Sequence, residues 1–179
     1  AQSRSGIKGI SIRKGIALIT MDTVGMWQQV GFLADVFAVL KKHRFSVDLV
    51  ATSEANVTVS LDVDAHAIDT DRMDALLQDL ERYCTPKFIG PVASISMVGR
   101  NIRSILHQLG PVFERFADRK VHLLSQAASD LNLTFVVEED EVDGLIGSLH
   151  AKLFSQDVQD PSFGPTWSAL FDEPAVIAK

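Results

Sequence analysis

Two acidic residues, Asp48 and Glu54, follow a helix start at Gly31, Phe32 and Leu33. A helix N-terminus presents backbone N–H groups and the positive end of the peptide dipole, so it attracts a carboxylate. Acidic side chains attract ammonium groups. A small amino acid carries those charges and no more, so the combination points to an amino-acid ligand. Each residue also has an ordinary explanation. Glycine before a helix is a common entry, Glu54 sits by a turn where exposed carboxylates are usual, and Thr52 and Ser53 can simply cap that turn. Asp48 is more informative. Its neighbours Val47 and Leu49 should face a core, which leaves Asp48 on the other face of a strand, where Asp is depleted. A solvated outer face would account for it equally.

Nothing else in the chain has the spacing of a reaction centre. Histidines at 43, 66, 107, 122 and 150 lack metal-ligand spacing. There is no glycine-rich phosphate loop and no HxxEH or GxSxG motif. Residues 69–74 (DTDRMD) lack the glycine and closing Glu of a calcium loop and read as a charged helix start. Trp27 and Trp167 are far apart and form no aromatic platform for RNA. A net charge of −6 and a pI near 5.3 argue against nucleic acid or an anionic membrane as partner.

Cys84 is the only cysteine, so an internal disulfide is impossible and a reducing cytoplasm is expected. No apolar run approaches the ~20 residues of a membrane span, and no signal-peptide pattern occurs. The composition, 46% hydrophobic with a mean hydropathy of +0.14, fits a substantial core. A length of 179 residues allows one ordinary domain or two small ones. The chain opens at Ala1 without Met, which suggests an internal fragment of a longer polypeptide.

The elements that must position these residues come in two copies. Residues 47–63 (VDLVATSEANVTVSLDV) align without a gap onto residues 121–137 (VHLLSQAASDLNLTFVV). Both show alternation on either side of a polar break, the mark of two half-buried strands joined by a turn. A helix pattern follows each: Met73, Leu76, Leu77 and Leu80, then Val142, Leu145, Ile146 and Leu149. Another precedes each: Leu33, Val36, Phe37 and Leu40, then Ile105, Leu106, Leu109, Phe113 and Phe116, with Pro111 starting or kinking the second.

Ahead of those helices, residues 16–21 (IALITM) and 92–98 (VASISMV) read as strands. The order strand–helix–strand–strand–helix, twice, is the ferredoxin-like βαββαβ plan. Residues 88–89 can close the first unit. The second lacks a closing strand after Phe154, whereas residues 7–12 (IKGISI) form an unassigned one. The expectation is an α+β protein in which residues 7–12 close the second unit and the first is inserted within it.

Residues 31–37 (GFLADVF) and 45–54 (FSVDLVATSE) resemble the first ACT module of lysine-sensitive aspartokinases. Residues 96–102 (SMVGRNI) resemble the opening of the second ACT module in that family, and the likeness runs from Ile7 to Phe154. It implies a first ACT module at 14–91, a second at 7–13 plus 92–154, and a linker or tail at 155–179. The family's enzymes phosphorylate the β-carboxylate of aspartate with ATP. No entry of their kinase domain occurs here, so the resemblance implies the regulatory half, with ATP and Mg²⁺ belonging to a missing kinase domain and no cofactor here.

In that family the effector lies where two first ACT modules meet, which implies a homodimer. The pattern maps onto Met26, Gln29, Phe32, Leu33, Ser46, Val47, Asp48, Ser53 and Glu54. Gln29 stands where some relatives have Ser. A second acidic group favours L-lysine over threonine or methionine. The corresponding positions of the second unit hold His122 and Ala128, and Pro111 has no N–H to offer, so no lysine is expected there. Residues 163–170 (FGPTWSAL) are similar to the junction of aspartokinases fused to diaminopimelate decarboxylase. Competing expectations are an ACT pair that only dimerises, a threonine sensor, and a free-standing small enzyme. The last is disfavoured because no nucleophile is paired with a base.

Overall fold

The computed structural model describes residues 6–24, 26–62, 70–126 and 128–154. Its frame is a pair of very long strands. β1 (Gly6–Asp22) and β4 (Thr85–Arg100) run antiparallel along their whole length, from Gly6 opposite Arg100 to Asp22 opposite Thr85. The sequence breaks at residues 13–15 and 90–91 read as chain interruptions. The backbone instead stays extended through both, with register shifts between Arg13 and Ile16 and between Ile16 and Leu18. Bulges of this kind bend a strand without ending it. Four expected strands are therefore two.

Each half of the frame carries its own hairpin. β2 (Val47–Thr52) and β3 (Asn56–Asp62) add to the second half of β1. β5 (Leu123–Gln126) and β6 (Asn132–Glu138) add to the second half of β4. The result is one six-stranded antiparallel sheet, β2-β3-β1-β4-β6-β5. The first half of β1 lies beside the second half of β4, so residues 7–12 pair within the second unit. The fold class is α+β, two ferredoxin-like units sharing two strands.

Three apolar cores hold this together. Helices α1 (Phe32–Lys42) and α2 (Thr70–Leu80) cover the first unit, with Val36, Leu40, Leu76 and Leu80 packed on Ile19, Met21, Val57, Val59 and Leu61. The second unit is covered by a broken run and by α4. The run comprises a 3₁₀ stretch Ile102–Gln108, a single turn α3 (Gly110–Phe113) and a 3₁₀ turn Glu114–Phe116. α4 (Val142–Phe154) buries Leu145 and Leu149 against Ile95, Met97 and Phe135. The described residues of a third core all lie on strands. Ile16, Leu18, Val92, Leu123 and Val136 meet there, joined by Leu49 and Ala51 from β2. Since β2 and β5 are opposite edges of the sheet, the sheet folds back on its helix-free side.

Two helix expectations need correction. The stripe of α1 is Phe32, Val36, Val39 and Leu40, with Leu33 45% exposed and Phe37 only partly covered. The second unit has no single helix through residues 105–116, because Pro111 begins a new turn there. Phe113 is 40% exposed and meets Phe135 edge to face.

The gap-free alignment of the hairpins also changes. Val50 opposite Val59 matches Leu124 opposite Phe135, an offset of 74 on the outer strand and 76 on the inner one. The second hairpin turn is therefore two residues longer. A shift of two leaves every side chain on its own face, so alternation cannot detect it.

Candidate functional site

The residues singled out in the sequence fall at two ends of the first unit. At one end lies the turn after β2. Asp22 pairs with Asn56, and the Thr23 N–H donates to the Ala55 carbonyl at 2.9 Å, tying the end of β1 to the turn that carries Ser53 and Glu54. The Ser53 N–H donates to the Asn56 carbonyl at 2.8 Å, and Glu54 is exposed.

The connection into α1 begins with a 3₁₀ turn, Met26–Gln28, whose Met26 packs on the first core. Gly31 then adopts φ 91°, a left-handed conformation that suits glycine, and α1 follows with no side-chain cap. The Phe32 amide is not wholly open, since it donates to the Gln29 carbonyl at 3.3 Å. Phe32 itself is buried, whereas Gln29 and Leu33 are exposed.

The other end holds Ser46, Val47 and Asp48, where α1 terminates. An open groove of about 430 Å³ lies there, lined among others by Phe37, Leu40, Phe45 and Val47 together with Lys41 and Arg44. Those two cations disfavour an ammonium group inside the groove. Asp48 is exposed on the edge strand β2.

These two ends are well separated. α1 has 11 residues and is about 16 Å long at ~1.5 Å per residue, and Asp48 to Ser53 along β2 spans about 16 Å. Asp48 is therefore not beside the start of its own helix. Within one chain Asp48 does not converge with Glu54 and the helix start.

Arg13 is the residue that sequence reading missed. Its guanidinium bonds both Asp48 and Asp62 with its two terminal nitrogens. The neighbouring backbone turns the other way: Lys14 pairs with Asp143 at 2.9 Å, and the Gly15 N–H donates to Glu139 at 2.7 Å. Three consecutive residues thus tie both units at the bend of β1. The only cue in the sequence was a polar break between two apolar runs, and that reads as a turn.

Near the end of β1 a charged pair ties strands together. Lys87 at 2.9 Å, with Asn56, holds the Asp22 carboxyl below the usual carboxylate range. Burial, with the charge of Asp22 adding, pushes the Cys84 thiol up to about 11. Among the described residues no cluster of three His, Cys, Asp or Glu could hold a metal ion, and no helix is long and apolar enough to cross a membrane.

Comparison with known proteins gives this geometry a context. Lysine-sensitive aspartokinase 3 of Escherichia coli is 28% identical over 149 residues, covering 82% of this chain and 33% of the relative. The chain is homologous to aspartokinases. It spans about 27–33% of the length of the curated relatives it matches. Among solved structures, E. coli aspartokinase III in complex with lysine and aspartate superposes with a TM-score of 0.71 at 28% identity, over 86% of this chain and 34% of that one. The regulatory subunit of aspartate kinase from Thermus flavus shares the fold, with a TM-score of 0.68 at 15% identity over 81% of this chain and 97% of that one. No protein-family model matches the chain. The fold is that of aspartokinase regulatory ACT domains.

Proposed function

We propose that this chain is the allosteric regulatory region of an aspartokinase and that it senses L-lysine as a homodimer. The observation that carries the reading is the division of the site between the two ends of the edge strand β2, whose Asp48, Val50 and Thr52 are exposed. Two β2 strands paired antiparallel about a two-fold axis near Val50 would set Asp48 of one copy against Thr52 of the other. Each Asp48 would then approach the partner's turn and helix start, completing two equivalent sites. Closed two-fold dimers are the commonest assembly, and open sheet edges invite such pairing.

In that arrangement the α-carboxylate meets the start of α1, around Phe32 and Leu33. Asp48 takes one ammonium group and Glu54 the other, with Met26, Gln29, Ser46, Val47 and Ser53 shaping the remainder. The likeness to a lysine-sensitive enzyme and to a lysine complex supports this ligand. The working units are residues 14–91 for sensing and 7–13 plus 92–154 for scaffolding. Aspartate phosphorylation, with ATP and Mg²⁺, belongs to a kinase domain outside this sequence, in a cytoplasmic enzyme of lysine biosynthesis. Lysine acts on it through a coupling free energy of typically ~1–3 kcal/mol.

Calorimetry tests the reading directly. Lysine should bind far more tightly than norleucine, which lacks the second ammonium group; equal affinities would sink the proposal. Asp48→Ala should weaken lysine by about 5- to 150-fold, the equivalent of ~1–3 kcal/mol for leaving a charge unpaired. One observation favours a second reading, in which the ACT pair only dimerises: Asp48 already has a cationic partner in Arg13.

A further inference from the structure

Arg13 is the strongest unexplained feature of the molecule. It is neither part of a helix-capping scheme nor buried in a core. It sits on β1 at the bend where the strand leaves the second unit and enters the first. Its side chain spans two carboxylates on different strands, Asp48 on β2 and Asp62 on β3. Asp62 is mostly covered, 17% exposed, whereas Asp48 is 62% exposed and Arg13 45%. The guanidinium is therefore anchored on the inner carboxylate and reaches outward to the outer one. A cation on Asp48 is also what an amino-acid ligand would supply.

We propose that Arg13 is a built-in stand-in for the ligand ammonium group, which lysine must displace from Asp48. The inference rests on the lysine reading of the same site and adds its regulation. Two cations on one exposed carboxylate repel each other and share a single charge, so binding of the ammonium group weakens the hold on Arg13 and the two events are linked. The apparent affinity is lowered by the fraction of molecules in which Arg13 covers Asp48.

The displacement also has somewhere to be read. Arg13 is followed by Lys14 and Gly15, which bond Asp143 and Glu139 of the second unit. Releasing Arg13 frees one side of a segment whose next two residues hold the other unit. Occupancy of the edge strand is thereby transmitted to the junction between the units. No contact between ligand and junction is needed.

The same carboxylate then does two jobs. Without lysine it closes a bridge across β2 and β3 to the bend of β1. With lysine it binds the effector and the bridge opens on that side, leaving Arg13 on Asp62. Exposed ion pairs are individually weak, which suits a contact that a small ligand has to break.

The test is calorimetric titration of L-lysine into the 179-residue chain and its Arg13→Gln variant, at low and high salt. The expected result is that Arg13→Gln tightens lysine by about threefold or more at low salt, the scale of an exposed ion pair, with a smaller gain at high salt. Lysine binding by the variant alone would support the inference, as unmasking of a covered site. Lysine binding by the parent chain with equal or weaker affinity in the variant would overturn the inference and leave the lysine reading intact. Binding by neither would overturn both.

A second measurement needs no substitution. In ¹H–¹⁵N spectra of arginine side chains, the Arg13 Nε–H signal should shift and exchange faster with water as lysine is added. An Arg13 signal unmoved at saturating lysine would overturn the inference even where the variant does not fold. Arg13→Lys keeps the charge but loses the two-pronged reach, so its affinity should lie between those of the parent and Arg13→Gln.

Discussion

Single side chains in this protein are mostly committed to neighbours, and Asp79 shows how. It receives Lys42 at 2.6 Å, His43 at 2.7 Å and Arg82 at 3.3 Å, joining the end of α1 to α2. Lys42 foremost, then His43, holds its carboxyl at about 2, below the ordinary 3.8. A carboxyl depressed on folding contributes stability above its unfolded value and loses it as pH falls toward the folded one. Melting temperature should therefore drop as pH falls from about 4 to about 2. Asp79→Asn should lower the melting temperature at pH 7 and flatten that part of the profile; an unchanged profile by circular dichroism would refute the assignment. Cys84, raised to about 11, should react with iodoacetamide much more slowly at pH 7.5 than a free thiol near 8.5. Asp48 was legible in the sequence because an acidic residue between Val47 and Leu49 is out of place in a strand. Arg13 was not, because its partners lie 35 and 49 positions away and no local pattern encodes such a reach.

Elements were legible where they repeat and illegible where they merge. The paired hairpins and the helices α2 and α4 follow from their apolar spacing, and each stands where that spacing puts it. Fusion of four short strands into β1 and β4 could not be read, since Arg13, Lys14 and Gly15 carry a turn's composition through an extended path. The two-residue difference between the hairpin turns escaped for the opposite reason, an even shift that preserves alternation. Gly99 marks a close approach within the merged frame. A Cβ there would lie 2.1 Å from the Gly6 carbonyl oxygen and 2.9 Å from the Ile7 Cα, both backbone atoms that cannot swing aside. Gly99→Ala should thus pry β1 from β4 and destabilise the chain by about 1–3 kcal/mol, the range for overpacking a close-packed interior. Urea titration checks this, and a loss below ~0.5 kcal/mol would mean that the strand ends part freely. Gly110→Ala, where nothing lies within 4 Å, is the control.

At the scale of the whole molecule the two units are alike in plan and different in chemistry, which decides how many ligands a chain should hold. Strand register places Ile16 opposite Asp62 and Val92 opposite Glu138, so Glu138 occupies the position of Asp62. Counted back from Val50 and Leu124, His122 falls in line with Asp48, which lies in a bulge between Val47 and Val50. In the first unit that pair of positions is bridged by Arg13, at a surface where Asp48 is open to solvent. In the second, His122 is 3% exposed and bonds Glu138 at 2.7 Å, so the position is filled from within. An incoming ammonium group would find a covered imidazole there instead of an open carboxylate. The helix entry differs as well, because the turn beginning at Gly110 carries Pro111 and lasts only to Phe113. Lysine should therefore bind with a stoichiometry of one per chain, and the dimer should tighten as lysine is added, because a ligand shared between copies favours their association by mass action. Sedimentation at micromolar protein should show the dimer with lysine present. A lysine-soaked crystal should show amino-acid density against Asp48 and none against His122. Density at His122, or a monomer in saturating lysine, would show that the division of labour between the units has been misread.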